Sequence, residues 1–332
     1  MSGLAYAPLR HGLMITWRAA CFRSSATGCA LGVPVHYVWF DTGSSRCGVL
    51  RRYFLSIFQT WAILRRERPE VVVVNNLPVF SVMAVWLGGL FLGHRIVLDV
   101  HSGMFTSPVW SRFAPFYRYI VARSPFTLAH NHYDGVQLSA WGGTVVHMTA
   151  LPRDFPHIIR QPAPKTATML VVCSYQPDEP IETLLNVMRA LPSIHFVLTG
   201  NFKKRGLVPQ DLPANIELSG FMPHEEYLQR MAQSTAAVTF SDRPQIMQMA
   251  VHEAISLGVP VVTNHSQTLK RVLEDGGVQC ALDAPSMIKA LQDAAARAQE
   301  LREAAGQLKP RRVRDVQIEL DRVRAEHPDL FA

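Results

Sequence analysis

One carboxylate stands inside an otherwise apolar stretch: Glu253, within residues 240–266, FSDRPQIMQMAVHEAISLGVPVVTNHS. The stretch reads as strand end, loop, helix over 246–257 and strand. That helix puts Val251, Ala254, Ile255 and Gly258 on packed faces and ends at Gly258, two residues before Pro260. Burying an ionised carboxylate there costs several kcal/mol unless it is paired, and the two hydroxyls of a ribose would serve as partners. The expected helix start offers the unpaired backbone N–H groups of Ile246, Met247, Gln248 and Met249 at the positive end of the helix dipole, which suits a pyrophosphate. A second group closes the strand RIVLDV, where Asp99 is followed by His101, Ser102 and Gly103. This is the carboxyl end of a parallel strand, where α/β proteins place their sites, although an Asx turn with a satisfied histidine is the plainer reading. Arg18 and Arg23, just after the first strand, could bind an anion or simply be solvated, and the same choice applies to Lys203, Lys204 and Arg205 after FVLTGN. His130 and His132 are spaced i, i+2 with no third ligand type beside them, so no metal site is expected.

These residues resemble the nucleotide-sugar-dependent glycosyltransferases of the GT-B fold, family 4 in particular, whose signature is two glutamates eight positions apart. Here Glu253 is the second, and the first position holds Gln245, giving Q-x(7)-E. The segment AVHEAISLGVPVVTN otherwise follows the pattern of small residue, E-A, apolar, G-x-P-V-V. The resemblance implies that Glu253 contacts the donor ribose, that Gln245 lies at the donor sugar, and that Phe221 and Met222 in SGFMPHEEYL belong to the loop whose backbone reads the base. In the first half, VVVVNNLP and LDVHSG resemble the segments Q-N-P-P and D-x-H of enzymes that extend lipid-linked sugars, including the chitobiosyl-lipid β-mannosyltransferase. Asn76 matches that pattern, whereas Asn75 and Leu77 depart from it. The implied roles are His101 as acceptor-side base or orienting group, Asp99 as holder of its tautomer or exchanging roles with it, and Asn76 as an acceptor contact; Arg18 and Arg23 join them as acceptor contacts from their place after the first strand, not from the resemblance. No metal or other cofactor is expected beyond the nucleotide sugar itself.

Strands alternating with helices must position these groups, which argues for parallel sheets. The first half reads as strands over 13–17, 35–40, 71–74, 95–100, 126–129 and 145–148, and the second as strands over 169–173, 195–198, 216–218, 236–240, 259–263 and 278–281. Between the halves, LPRDFPHIIRQPAPK is proline-rich and aperiodic, the composition of a linker. The expected fold class is α/β, two Rossmann-like domains facing a cleft. The expected domains are an acceptor domain 1–150, a linker 151–166, a donor domain 167–310 and a C-terminal helix 311–332. Neither half has G-x-G-x-x-G after its first strand and no G-K-[ST] is present, so a nicotinamide dehydrogenase and a P-loop NTPase lose their main support.

The total formal charge of +7 is unevenly placed: residues 1–150 hold 13 Arg, no Lys and 5 acids, a net +8, which leaves −1 for the remainder. Arginine without lysine favours phosphate or carboxylate recognition or an anionic membrane surface, and no nucleic-acid motif accompanies it. The helix over 50–66 carries Leu50, Tyr53, Phe54, Ile57, Phe58, Trp61 and Leu64 at i, i+3, i+4 spacing among arginines, and VWSRFAPFYRYIVAR is a second aromatic, basic segment. These faces either pack on their own sheet or lie on a membrane. Five scattered cysteines without C-x-x-C indicate a reducing compartment, and residues 1–13 carry no secretory pattern, so a cytoplasmic protein is expected, with a peripheral place on the inner membrane face left open. The uncharged run 71–93 is long enough for a span of about 20 residues but is broken by Asn75, Asn76 and Pro78. The expected partners are a nucleotide sugar and a saccharide or lipid-linked acceptor, with no nucleic acid. Two other readings stay open: a non-catalytic nucleotide-sugar-binding or partner subunit, because Gln245 replaces a glutamate, and a nucleotide-sugar epimerase, which would need a carboxylate pair that the five acids of the first half do not readily supply.

Overall fold

The structure, a computed structural model, describes residues 8–159, 162, 164, 166–243 and 245–332. The first seven residues of the segment read as lacking a leader, and residues 160, 161, 163 and 165 of the expected linker, lie outside the described residues. The chain divides into two compact units, one holding the chain up to Leu151 together with Arg314–Ala332, the other Pro152–Val313.

The first unit contains a six-stranded parallel sheet of β1 (Gly12–Thr16), β2 (Val35–Tyr37), β3 (Val71–Asn75), β4 (Arg95–Val100), β5 (Thr127–Ala129) and β6 (Val145–His147), in the order β2-β1-β3-β4-β5-β6. Of its central strands β3 is buried along its whole length, four valines followed by an asparagine, the continuous apolar run of a strand covered on both faces. The run over 71–93 therefore divides into β3 and the helix Val79–Leu92, and no described helix is long and apolar enough to cross a membrane. The register Asn75↔Asp99 and Asp99↔Leu128 brings the carboxyl ends of β3, β4 and β5 side by side.

The second unit repeats the architecture with β7 (Thr168–Val171), β8 (His195–Thr199), β9 (Ile216–Gly220), β10 (Ala236–Thr239), β11 (Val261–Asn264) and β12 (Gly277–Cys280), in the order β12-β11-β10-β7-β8-β9. Strand order reverses between β10 and β7, so the loops after these two strands flank the topological switch point where open α/β sheets bind ligands.

Two helical expectations need correction, and one left open divides residue by residue. The helix expected over 246–257 begins at Met249, because Gln245 takes a left-handed φ of 68° and Gln248 is extended at φ −65°, ψ 150°. Ile246, Met247 and Gln248 thus precede the helix and do not form its first turn. The apolar stripe of the helix Arg46–Glu67 divides: Ile63 and Leu64 are buried and Trp61 donates its indole N–H to Ala84 O at 2.9 Å, whereas Leu50, Phe54 and Phe58 are 67%, 60% and 54% exposed. Finally, a single helix runs Ala298–Glu326 through Pro310, where a separate C-terminal helix was expected.

Candidate functional site

In the first unit the polar residues that follow four parallel strands come together around Asp99. The carboxylate is fully buried, accepts from His130 Nε2 at 3.0 Å on Oδ1, and lies 3.8 Å from Arg23 Nε and 3.7 Å from His101 Nε2. Burial by itself would raise its pKa, but His130, His101 and Arg23 outweigh that and hold it well below the usual carboxylate range. Burial likewise lowers the pKa of the Arg23 guanidinium to about 10, against the pull of Asp99. His130 is pushed well below the usual imidazole range, first by burial and then by Arg23 and His101, so its ring is neutral at pH 7.

Two expectations about this group change. His101 was expected to have Asp99 as its tautomer holder, yet Asp99's hydrogen-bonded imidazole is His130, with the two rings 4.3 Å apart, and His101 Nε2 instead meets Asn75 Nδ2 at 2.6 Å. Arg23 and Asn76 were expected as acceptor contacts but both are enclosed. Arg23 donates to Met148 O at 2.7 Å, and Asn76 uses its amide on the main chain of His101, accepting from His101 N at 2.9 Å and donating to His101 O at 3.3 Å. Arg18 is exposed. Behind His101, Ser102 Oγ donates to the buried Asp134 at 2.6 Å, and Asn131, which caps the helix His132–Ala140 that carries Asp134, donates to the same carboxylate at 2.9 Å.

Asp99, His101 and His130 offer three ligand atoms within 4.8 Å of one another, a set that could in principle hold a cation. The enclosed Arg23 guanidinium already stands beside the carboxylate, and a second positive charge there would be costly. The arrangement is better suited to moving or orienting a proton.

In the second unit Glu253 sits in the helix Met249–Leu257, whose residues from Ala250 onward are all buried, and which ends at Gly258 with a left-handed φ of 65°. The buried carboxylate has one hydrogen-bond partner among the described residues, the Tyr227 hydroxyl, which donates at 2.7 Å. Burial raises the pKa of Glu253, with the Tyr227 bond opposing, and burial together with Glu253 raises that of Tyr227. At the head of the helix both polar atoms of the Gln248 side chain are enclosed without a partner among the described residues. Gln245 Oε1 accepts from Thr268 Oγ1 at 3.0 Å, which holds the left-handed turn.

The loops after the neighbouring strands complete this edge. Phe221, 83% exposed, follows Gly220 at the end of β9, with Met222 beside it, and Gly200 N donates to Gly220 O at 3.0 Å to join the β8 and β9 ends. After β8, Lys203 and Lys204 lie in an exposed turn; Lys204 Nζ donates to Ser174 O at 3.1 Å, and Arg205 donates to Gln176 O at the same distance. His130, Asn75 and Tyr227 were not legible as site residues. For the first two the available signal was position: both stand at the carboxyl end of a strand whose neighbour carries Asp99.

A glycosyl transferase-like family matches residues 178–327, a little under half of the chain and the part that contains Glu253. No curated protein matches the chain. Among solved structures, the chain is similar to a sucrose-phosphate synthase from Thermosynechococcus elongatus, with TM-score 0.72 and 14% identity over 96% of this chain and 98% of that one. Anabaena HepE, solved in complex with UDP-glucose, gives TM-score 0.65 and 13% identity over 96% and 99%. The lipopolysaccharide outer core galactosyltransferase WaaB gives 0.64 and 12% over 95% and 99%. The chain carries a glycosyltransferase domain on a GT-B fold. In a glycosyltransferase of this architecture the expected Rossmann-like character of both halves is met by the two six-stranded parallel sheets.

Proposed function

We propose that this glycosyltransferase moves a hexose from a nucleotide sugar, bound at the second unit, to an acceptor hydroxyl activated at the first. The observation that carries the reading is the unfinished polar edge of the helix Met249–Leu257. Glu253 is enclosed with a neutral hydroxyl as its partner, and Gln248, just before the helix, has an enclosed amide with none among the described residues. An unsatisfied buried polar group costs about 1–3 kcal/mol, which a ligand bearing hydroxyls and phosphates would recover. Glu253 then binds the ribose diol, and Gln245, Ile246, Met247 and Gln248 line the sugar and diphosphate. Phe221 and Met222 meet the base, and Lys203 and Lys204 stand near the diphosphate. On the acceptor side His101 acts on the hydroxyl, Asp99 supplies the buried negative charge of the set, and Arg18 is available to an anionic group. The chemistry assigned to these residues needs no metal.

The acceptor is a lipid-linked saccharide or polysaccharide precursor at the cytoplasmic face of a membrane. Two features support this. The first half resembles enzymes of the chitobiosyl-lipid mannosyltransferase type in its N-N-L-P and D-V-H segments. Leu50, Phe54 and Phe58 are exposed on the helix Arg46–Glu67 beside the exposed Arg46, Arg51, Arg65 and Arg66, and Leu90 and Phe91 are exposed on the helix Val79–Leu92. Exposed apolar side chains among arginines fit an anionic lipid surface, each arginine contributing ~1 kcal/mol.

A thermal-shift screen of nucleoside diphosphates and their sugars, followed by transfer of radiolabel from the stabilising donor to lipid-linked acceptors, tests the proposal. A donor well above its dissociation constant should stabilise the protein by ~2–3 kcal/mol. Stabilisation by none of them, or hydrolysis without transfer to any acceptor, would contradict it.

A further inference from the structure

The hydrogen-bond polarity around Asp99 leaves one acceptor without a donor. Oδ1 takes the His130 Nε2–H at 3.0 Å, while Oδ2 is enclosed, has no partner among the described residues, and lies 3.7 Å from His101 Nε2. That nitrogen is engaged elsewhere, 2.6 Å from Asn75 Nδ2. The orientation of the Asn75 amide follows from its other end, where the Leu77 N–H donates to Oδ1 at 3.1 Å. Nδ2 is a donor only, so the His101 nitrogen facing it must be unprotonated, and a neutral ring then carries its proton on Nδ1. In that tautomer Nδ1 can donate a hydrogen bond but cannot accept a proton.

Moving the proton to Nε2 reverses both contacts. The ring would then confront the Asn75 donor with a donor and would find its acceptor in the unpaired Asp99 Oδ2, after closing by about 0.9 Å to reach ordinary hydrogen-bond length. His130 holds the other carboxylate oxygen and so leaves Oδ2 as the open one. The His101 side chain is 20% exposed, and Nδ1 would carry the lone pair.

We propose that Asn75 and Asp99 compete for His101 Nε2, and that Asn75 and His130 are positioning residues that determine which nitrogen of His101 is basic. The inference rests on the acceptor-side role of His101 proposed above. In the reactive tautomer, His101 Nδ1 takes the proton of the acceptor hydroxyl as the acceptor oxygen bonds to C1 of the sugar. The C1–O bond to the diphosphate breaks and its electron pair leaves with the nucleoside diphosphate. Asp99 Oδ2 holds the resulting imidazolium until it returns the proton to solvent.

Two-bond ¹H–¹⁵N correlation spectra of the full chain labelled with ¹⁵N-histidine read the tautomer directly, with His101→Gln used to assign the signals. The wild-type protein without substrate should show His101 with Nδ1 protonated and Nε2 bare. Asn75→Asp keeps the oxygen that Leu77 needs and turns the facing donor into an acceptor, so the proton should move to Nε2. A wild-type ring protonated on Nε2, or an Asn75→Asp ring still bare there, overturns the competition. For His130, His130→Leu should lower kcat at least ~10-fold with the nucleotide Kd unchanged, and His130→Gln, which can still donate to Asp99, should recover most of it. Equal losses in the two variants would overturn the assignment of His130. The tautomer readings do not depend on turnover: a protein that shows them yet transfers no sugar contradicts the function proposed above and leaves the competition standing.

Discussion

Asp99 and Glu253 are both enclosed carboxylates, one in each unit, and their surroundings differ in sign. Asp99 has the Arg23 guanidinium and two imidazoles against it, and its pKa falls well below the ordinary range. Glu253 has one neutral hydroxyl, and its pKa rises. A carboxylate whose neighbours already compensate its charge is built into the protein whether or not substrate is present. One left with a single neutral donor is costly alone and improves when a ligand brings more. The first unit thus holds a carboxylate whose charge the protein itself compensates, and the second holds one with a single neutral donor, as the proposed nucleotide-sugar site requires.

The largest effect should come from removing the compensated charge. Asp99→Asn would strand Arg23, and breaking one side of a buried pair costs ~3–5 kcal/mol. A shift in urea midpoint equivalent to less than ~1 kcal/mol would mean that Asp99 does not compensate Arg23. Because its pKa is lowered on folding, the stability Asp99 contributes is present above the unfolded value and is lost as pH falls through the folded one. His101→Ala, on the same edge but outside the ion pair, should cut transfer by ~10²–10⁴-fold while leaving donor affinity nearly intact. Collapse of donor affinity with normal transfer from the residual complex would move His101 to the donor side.

A smaller effect is expected at the exposed stripe. Phe54→Ser with Phe58→Ser should change stability by no more than about 0.5 kcal/mol, since both rings face solvent, yet weaken sedimentation with anionic liposomes. Attachment should weaken with added salt. Equal binding to neutral and anionic vesicles, or indifference to salt, would assign the basic first unit to something other than a membrane. The smallest effect sharpens the contrast between the carboxylates. With its pKa raised on folding, Glu253 contributes stability below its ordinary 4.5 that is lost as pH rises through the folded value, the reverse of Asp99. Glu253→Gln without ligand should therefore equal or slightly exceed the wild type in Tm at pH 7, and that advantage should shrink on acidification below about 4.5. A variant less stable at pH 7 than at pH 4, relative to wild type, would show that the charge is already compensated.

The strands were legible because parallel sheets buried on both faces are written as short apolar runs between turn residues, as in VVVVN and RIVLDV. Helix starts were less so. The apolar pattern runs back to Ile246, but the left-handed turn at Gln245, tied to Thr268 across the fold, delays the helix to Met249. A separate C-terminal helix was expected from residue 311, yet one helix, Ala298–Glu326, runs through Pro310. In the site, Asp99, His101 and Glu253 stood out as polar residues in apolar runs. His130 did not, because its partner lies 31 residues away and only the β4–β5 register brings the two together. Arg23 read as a solvated or ligand-facing arginine for a similar reason: enclosure by Met148 O and Asp99 depends on strands far along the chain.

The claim that the second unit binds the donor through Glu253 is tested most directly by titration calorimetry. The nucleoside diphosphate that stabilises the wild type is titrated into wild type, Glu253→Gln and His101→Ala. Glu253→Gln keeps the size and the Tyr227 contact but removes the charged acceptor, so affinity should fall by ~1.5–3 kcal/mol, while His101→Ala should stay within about twofold of wild type. Unchanged affinity in a folded Glu253→Gln protein would contradict the account, as would a loss in His101→Ala as large as that in Glu253→Gln.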